Sequence, residues 1–430
     1  MNNYFKYTTN LNYFALLLFV FWLPLKDSYF PTIITFWMFT WLLEGNIKEK
    51  FVSFSYNKIY IAFLLYFLLT IIALLYTNDI DAGLFDVQEK LSIAFFPIIL
   101  AGSNQKIKNN YNTILFVFVI ANVVASFYCL ANALVTNIII ENATWHIKHW
   151  VWDEMQNIPF WEVINLRSSN FSYTYLSIFK GPAYFAMYIT FSISILIYFL
   201  KKKIAKKTTH KILTTSTITF FTFMVYLLQS SAGLITIGVV LLFSVLYELK
   251  AKQKKKYILI GSTLVLLGVM AIIFSKTTQK RIKDFTDVIS APSKSELFKK
   301  DDRLGIWYSA VEVIKENIFI GTSPANLSDE LAIKYKKHNL MQAHNEKLNA
   351  HNQYLESFAG LGILGFLCLV YILANGFIIA YKKKNYLLFF LLIIVSSNFL
   401  FESMLNRMAG VLFLMFFYSL FVFTHSSNKT

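Results

Sequence analysis

Long uninterrupted apolar runs recur along the whole of this 430-residue chain. Each of about twelve runs approaches the roughly 20 residues that an α-helix needs to cross a hydrocarbon layer of about 30 Å. Hydrophobic residues make up 56% of the sequence and charged residues only 15%, which excludes a water-soluble protein of this length. The sequence therefore predicts an all-α polytopic membrane protein surrounded by membrane lipids. The predicted spans cover residues 11–25, 29–43, 58–76, 88–102, 112–137, 181–200, 212–229, 232–249, 256–274, 355–380, 386–401 and 408–424.

The distribution of lysine indicates which side of the membrane each loop faces. Dense basic clusters at 201–211, 250–256 and 382–384 fall on one side if there are twelve spans. Cytoplasmic loops carry such an excess, so both termini are predicted to be cytoplasmic. The same rule accounts for the net charge of +16, and we expect no nucleic-acid partner. Only Lys6 precedes the first span and no small-residue cleavage site follows, so no removable signal peptide is predicted.

Two long connections, at residues 138–180 and 275–354, are then predicted on the outer side of the membrane. They mix acidic and basic residues, unlike the basic clusters on the other side. The chain is interpreted as one transmembrane domain, residues 1–430, whose larger outer loop carries the candidate site. Cys129 and Cys368 lie inside predicted spans, so neither a disulfide framework nor a zinc cluster is expected.

The larger outer loop contains a predicted amphipathic helix with an arginine at its head. Asp301 or Asp302 can cap this helix, and its apolar residues follow three- and four-residue spacing. The predicted apolar positions are Leu304, Trp307, Val311, Ile314 and Ile318. Arg303 offers a permanently charged, forked guanidinium that can grip two phosphate oxygens. An ion pair with Asp302, or a side chain that reaches from apolar surface to water, is the alternative.

His351 comes just before the tenth predicted span, with Asn352 beside it. An imidazole can accept a proton near neutral pH, and the amide can orient the ring or hold a substrate hydroxyl. A solvated loop histidine is the plain alternative. His338 and His344 lie nearby, but their spacing fits no compact ligand set, so no metal site is predicted.

Other polar residues are predicted at the outer ends of the spans. Ser231 lies in the turn between the seventh and eighth spans, and Glu402 and Arg407 separate the last two. Glu402 and Arg407 fit ligand contacts, interfacial anchors or a mutual ion pair. In the first outer loop, Arg167 is a candidate phosphate ligand, and the aromatic residues suit sugar stacking or an interfacial belt. The candidates predicted to share the outer face are Arg303, His351, Ser231, Glu402 and Arg407.

Three motifs in the second half of the chain follow one another in a characteristic order. They are R-L-x-I-W followed by G-T at 303–322, H-N-x-Y-L with G-I-L-G at 351–365, and E-S-M-L-x-R-x-x-G at 402–410. With this order, spacing and topology, residues 180–424 resemble the O-antigen ligase and polymerase family of integral-membrane glycosyltransferases.

This resemblance implies a GT-C-like multispanning fold and an activity. The protein would transfer a glycan from a polyprenyl-diphosphate carrier, such as undecaprenyl diphosphate, at the periplasmic face of the bacterial inner membrane. The acceptor would be lipid A-core or another glycan. His351 matches the family's proposed general base and Arg303 an arginine thought to hold the diphosphate. Neither a metal nor another cofactor is implied, and inverting displacement is the mechanism we expect.

The chain departs from the family pattern at two positions. Ser231 stands where relatives commonly have an arginine, and Gly181 where many have a histidine. A missing phosphate-binding cation would need compensation from Arg407, Arg167 or Lys180. The sequence favours a ligase slightly over a polymerase with the same donor. A transporter of a small solute or lipid-linked sugar is the main alternative from another class, and a membrane scaffold is a further one.

Overall fold

The computed structural model describes residues 2–52, 58–141, 144–147, 169–250 and 302–423. Arg167, the predicted span 256–274 and residues 275–301 of the larger outer loop lie outside these ranges, as do most aromatic residues of the first outer loop. Regular structure in the described ranges is helical apart from one antiparallel hairpin. Its strands are β1 (Ile138–Glu141) and β2 (Thr144–Ile147), with Ile138 opposite Ile147.

Seventeen α-helices are present in the described ranges. Three short 3-10 helices, Asp27–Tyr29, Ala73–Tyr76 and Met404–Asn406, lie between them. The α-helices are α1 (Asn2–Trp22), α2 (Phe30–Leu43), α3 (Ile47–Val52), α4 (Lys58–Ile72), α5 (Ile80–Ala101), α6 (Gln105–Asn109), α7 (Tyr111–Asn137), α8 (Tyr173–Leu176), α9 (Pro182–Lys201), α10 (Thr208–Leu227), α11 (Ser231–Lys250), α12 (Asp302–Glu316), α13 (Leu327–Lys337), α14 (Met341–Asn345), α15 (Gln353–Lys382), α16 (Tyr386–Phe399) and α17 (Met408–Phe423).

Several of these helices are apolar enough to cross a membrane. A helix lies at each of the eleven predicted spans that fall within the described ranges. Four segments qualify as crossings by length and composition: Ile59–Tyr76, Tyr111–Thr136, Pro182–Lys201 and Gln353–Lys382. Shorter apolar helices cover Ser231–Ser244, Tyr386–Phe399 and Met408–Phe423. The described part of the chain is therefore an all-α membrane protein, and the total of twelve crossings stays a prediction.

Helix α17 occupies the centre of the bundle. Every residue from 409 to 423 is buried, because this helix is apolar on all sides and can be covered on all of them. The Phe417 ring lies 4.8 Å, centroid to centroid, from Phe118 of α7 and from Phe191 of α9. The Tyr188 hydroxyl donates to the carbonyl oxygen of Ala409 over 2.7 Å, so its polar atom is satisfied inside this apolar core.

Helix α15 is divided into two arms at Gly362. Gly362 has φ 67° and ψ −167°, a backbone conformation that only glycine adopts readily. The bend lets the connection after α12 approach closely, and the amide of Ile363 donates to the carbonyl oxygen of Ile318 over 2.8 Å. The arm from 353 to 361 supports the candidate site, while the arm from 363 to 382 continues through the apolar bundle.

Replacing Gly362 with alanine is expected to destabilise the fold. A Cβ atom at this position would overlap the carbonyl oxygen of Phe319, and the positive φ alone costs alanine about 1–3 kcal/mol. We expect a lower Tm for purified Gly362→Ala in detergent. The matched control is Gly238→Ala, because a Cβ there meets nothing within 4 Å. Equal Tm values for the two variants would contradict the role of the bend.

Helices α12, α13 and α14 form a small subdomain against the first arm of α15. The buried side chains of α12 are Ile306, Ser309, Ala310, Val313 and Ile314. The apolar face predicted for α12 was wrong, because only Ile314 of its five predicted positions is buried. The buried side chains lie on a different face of the helix. Ranking by hydrophobicity passes over Ser309 and Ala310, whose small side chains allow α12 to approach its neighbours closely.

Candidate functional site

A cavity of about 150 Å³ lies where the first residues of α9, α11 and α12 meet the connection between α16 and α17. Three predicted site residues line it: Arg303 in the first turn of α12, Ser231 at the start of α11, and Glu402. Other polar side chains in the lining are Tyr173, Tyr184 and Ser230. Residues far apart in the sequence thus meet at one end of the bundle, as the topology predicts.

His351 adjoins this cavity through Glu402. Its Nδ1 atom lies 3.3 Å from Oε2 of Glu402, and each side chain is about a quarter exposed, at 27% and 25%. A carboxylate beside Nδ1 favours the tautomer that carries its proton there, which leaves Nε2 as a proton acceptor. Glu402 therefore contacts the imidazole and also lines the cavity with Arg303. The structure brings the candidate base and the candidate cation together around this carboxylate.

The backbone of His351 is held in an unusual conformation. Its φ of 45° is left-handed, which costs a residue other than glycine about 1–3 kcal/mol. The Asn349 side chain accepts a hydrogen bond from the amide of His351 over 3.0 Å and supports this turn. Such strain persists only where the surroundings fix the local structure, so the imidazole starts from a well-defined position.

Asn352 serves as the N-cap of α15. Its Oδ1 accepts hydrogen bonds from the amides of Tyr354, at 3.0 Å, and Leu355, at 3.2 Å. Its Nδ2 donates to the carbonyl oxygen of Leu400 over 3.4 Å, which ties α15 to the end of α16. The side chain is therefore engaged in holding the helix next to His351. Its predicted contact with substrate stays a prediction.

Loss of this cap is expected to lower stability by about 1 kcal/mol in Asn352→Ala. Serine also caps helices, so Asn352→Ser should keep the Tm near that of the unmodified protein. Thermal unfolding and glycan transfer measured on both variants separate the two roles of the side chain. If capping is the whole role, serine restores both quantities. Recovery of the Tm without recovery of transfer would indicate that transfer needs the amide group itself, through its bond to Leu400 or through a contact with substrate.

Of the three cations considered as substitutes for the missing family arginine, Arg407 and Lys180 lie within the described ranges, and their surroundings differ. Arg407 is exposed and within electrostatic range of Tyr184, which lines the cavity. Lys180 is buried, forms an ion pair with Asp27 and lies 4.7 Å over the ring of Phe30. Burial lowers the pKa of Lys180 more than the neighbouring carboxylate raises it. Neither cation is among the described residues that line the cavity. Arg407 is the better placed of the two, because it acts on the cavity residue Tyr184 while Lys180 is paired with Asp27.

Sequence reasoning missed Glu356, which links the two segments that carry the candidate residues. Glu356 Oε2 accepts a hydrogen bond from the amide of Ala350 over 2.8 Å and from the hydroxyl of Ser403 over 3.2 Å. Ala350 directly precedes His351, and Ser403 directly follows Glu402. This buried carboxylate therefore fixes the separation between imidazole and carboxylate in the site. A carboxylate at the start of an apolar span is the signal that could have found it.

Removal of this carboxylate is expected to damage stability and activity together. In Glu356→Ala, Ala350 and Ser403 lose their acceptor, and each buried donor left unpaired costs about 1–3 kcal/mol. Glu356→Gln keeps one oxygen acceptor, so its Tm should lie between those of the alanine variant and the unmodified protein. The control is Glu346→Gln, at an exposed position. Identical Tm and glycan transfer in Glu356→Ala and the unmodified protein would contradict this role.

The other two histidines near the site take part in packing the subdomain. His338 Nε2 lies 2.7 Å from Oε2 of Glu312, and His344 Nδ1 lies 2.8 Å from the carbonyl oxygen of Ala332. Burial alone would raise the pKa of Glu312, but hydrogen bonds from His338 and Lys337 outweigh it and lower that pKa. Within the described ranges, no group of three or more His, Cys, Asp or Glu side chains is arranged to hold a metal ion.

The fold and this cavity together define an all-α integral-membrane protein with ionisable side chains gathered where its helices begin and end. The model of the family described as O-antigen ligase matches residues 216–370, and this match confirms the resemblance to the O-antigen ligase and polymerase family. No curated protein matches the chain. The matched segment contains Ser231, Arg303 and His351, whereas Glu402 and Arg407 follow it. The match supports, in general terms, transfer of a lipid-linked glycan to a polysaccharide acceptor.

Proposed function

We propose that the protein transfers a glycan from a polyprenyl-diphosphate carrier to an acceptor hydroxyl. His351 is the general base and Arg303 the cation that binds the diphosphate. The observation that supports this assignment is the position of Glu402, which lies 3.3 Å from the imidazole and lines the same cavity as Arg303. Ser231, Arg407 and Asn352 are further candidates for contacts with the substrates, as is Arg167 outside the described ranges.

The reaction is an inverting displacement that proceeds without a metal ion. Nε2 of His351 takes the proton of the acceptor hydroxyl, and Glu402 stabilises the imidazolium that forms. The acceptor oxygen bonds to the anomeric carbon while the bond from that carbon to the diphosphate oxygen breaks. The carrier diphosphate departs with the negative charge, which the Arg303 guanidinium stabilises. The proton then leaves the imidazolium for solvent.

In the proposed function, this chemistry takes place at the periplasmic face of a bacterial inner membrane. About twelve helices in a GT-C-like arrangement form one domain over residues 1–430, with both termini in the cytoplasm. The outer loops are residues 138–180 and 275–354, and the larger one carries Arg303 and His351. The donor is linked to undecaprenyl diphosphate, and the acceptor is lipid A-core or another glycan. Such an arrangement keeps the lipid tail in the bilayer while the reacting end enters the cavity.

The test is transfer by purified protein in vesicles that contain a carrier-linked glycan and a lipid A-core acceptor. Formation of the glycosylated acceptor, together with release of free carrier diphosphate, is expected with and without a chelator. Loss of product on chelation would contradict the metal-independent mechanism. Movement of the glycan lipid between leaflets with no new glycosidic bond would favour the transporter and contradict the proposed function.

The products of this vesicle assay also distinguish a ligase from a polymerase. A ligase attaches the carrier-linked chain to lipid A-core, whereas a polymerase lengthens the chain while it stays on the carrier. Gel profiles of cell-surface polysaccharide in a strain without the gene give the complementary result. Single repeat units on the acceptor indicate a missing polymerase, and long chains left on the carrier indicate a missing ligase.

A further inference from the structure

Three large apolar side chains project from the connection between α12 and α13. They belong to Ile318, Phe319 and Ile320, here called the apolar tip, and are 43%, 77% and 63% exposed. Contiguous exposed side chains of this size are unfavourable in water, because apolar surface is stabilised by removal from it. These side chains are therefore expected to be covered by apolar surroundings. The helix faces next to the apolar tip indicate what those surroundings are.

The backbone of the apolar tip is firmly attached to the rest of the protein. The Tyr76 hydroxyl donates to the carbonyl oxygen of Ile320 over 2.7 Å, and the amide of Ile363 donates to that of Ile318 over 2.8 Å. Just beyond the tip, the amide of Thr322 donates to the carbonyl oxygen of Ala359 over 2.9 Å. The side chains thus point outward from a fixed backbone that is bonded to the 3-10 helix after α4 and to α15 beside its bend.

One exposed apolar stripe runs along α4 and the 3-10 helix that follows it, and leads to the apolar tip. Its members repeat at alternating four- and three-residue spacing, so they share one face of the helix. They are Ile61, Leu65, Leu68, Ile72 and Leu75. Since α4 belongs to a segment long and apolar enough to cross a membrane, this face is its lipid-facing side. The stripe ends at Leu75, which is 86% exposed and adjoins Tyr76, the partner of Ile320.

A second stripe runs along α15, which packs beside α4. Its members are Leu364, Leu367, Tyr371, Ala374, Ile378 and Tyr381. This stripe begins two residues after the bend at Gly362, and in the arm from 353 to 361 no residue is exposed. At about 1.5 Å per residue, the arm from 363 to 382 is about 30 Å long, which matches the hydrocarbon thickness. The bend therefore marks the level at which α15 enters the hydrocarbon.

We infer that the apolar tip inserts into the boundary between lipid headgroups and acyl chains, in the leaflet on the same side as the candidate site. Both lipid-facing stripes end beside it, and its backbone is bonded to α15 at the level where that helix enters the membrane. Membrane lipid is thus the environment that covers Ile318, Phe319 and Ile320. The contact seats the subdomain of α12–α14, and with it Arg303, at a fixed height above the acyl chains.

The experiment places an environment-sensitive fluorophore on single cysteines in full-length protein reconstituted into phosphatidylcholine and phosphatidylglycerol vesicles. The native cysteines are both buried, so Cys129→Ala and Cys368→Ser give the background. Labels are introduced through Phe319→Cys and, as a second position, Ile320→Cys. Lys336→Cys is the matched control, because it is an exposed position on α13 of the same subdomain. Quenchers are lipids brominated near the glycerol or near the methyl end of the acyl chain, and aqueous iodide.

Brominated lipid is expected to quench both tip labels several-fold more strongly than the control, and bromine near the glycerol end more than bromine near the methyl end. Aqueous iodide is expected to quench the control label more strongly than the two tip labels. Equal quenching of tip and control labels by lipid would overturn the inference. Protection from both quenchers would overturn it as well, since it would mean that protein covers the tip. None of these quenching measurements uses glycan transfer, so their result does not depend on whether the proposed function is correct.

Discussion

Replacing His351 with alanine is expected to reduce glycan transfer about 10²–10⁴-fold, the range typical for loss of a general base. The imidazole is the group that accepts the hydroxyl proton, and Glu402 has no other described imidazole within ion-pair distance. The measurement is the initial rate of transfer in proteoliposomes, with the Tm recorded on the same preparation. A rate within about twofold of the unmodified protein would remove His351 from the mechanism.

The control for that variant is His210→Ala. His210 is exposed near the start of α10, at the opposite end of a span from the cavity, so its loss should leave both rate and Tm unchanged.

Replacing Arg303 with alanine is expected to reduce the rate about 10²–10³-fold, as for removal of one donor that stabilises developing charge. Arg303→Lys keeps the charge but loses the forked geometry, so it should recover only part of the rate. The control is Lys315→Ala, an exposed cation in the last turn of the same helix. Transfer at the unmodified rate in Arg303→Ala, with donor binding also unchanged, would mean that another cation binds the diphosphate.

The membrane class and the shared position of Arg303, Ser231 and Glu402 were predictable from the sequence. Apolar runs locate the helices, and the charge rule fixes which helix ends lie on the same side. Few residues lie at the helix ends on one side of the membrane, so polar side chains among them are expected to lie close together. The family match independently confirms the resemblance over residues 216–370.

The roles of Asn352 and Glu356 were not predictable in the same way. Besides its local partners, each side chain has a partner in a distant part of the chain: Asn352 donates to the carbonyl oxygen of Leu400, and Glu356 accepts from the hydroxyl of Ser403. The bend at Gly362 was not predictable for the same reason, because it depends on tertiary partners. The carbonyl oxygens of residues 318 and 319 lie against α15 at this position. Pattern reading assigns residues to faces of elements but contains no information about such tertiary partners.

The central position of α17 has a consequence for how this protein assembles. Among the described helices α17 is synthesised last, yet Phe416 and Phe417 supply contacts to rings on α1, α5, α7 and α9. Earlier helices therefore enter the bilayer before the partner that organises them is available. The ring contacts that join these four helices at the centre of the bundle are therefore completed only after α17 has entered the bilayer.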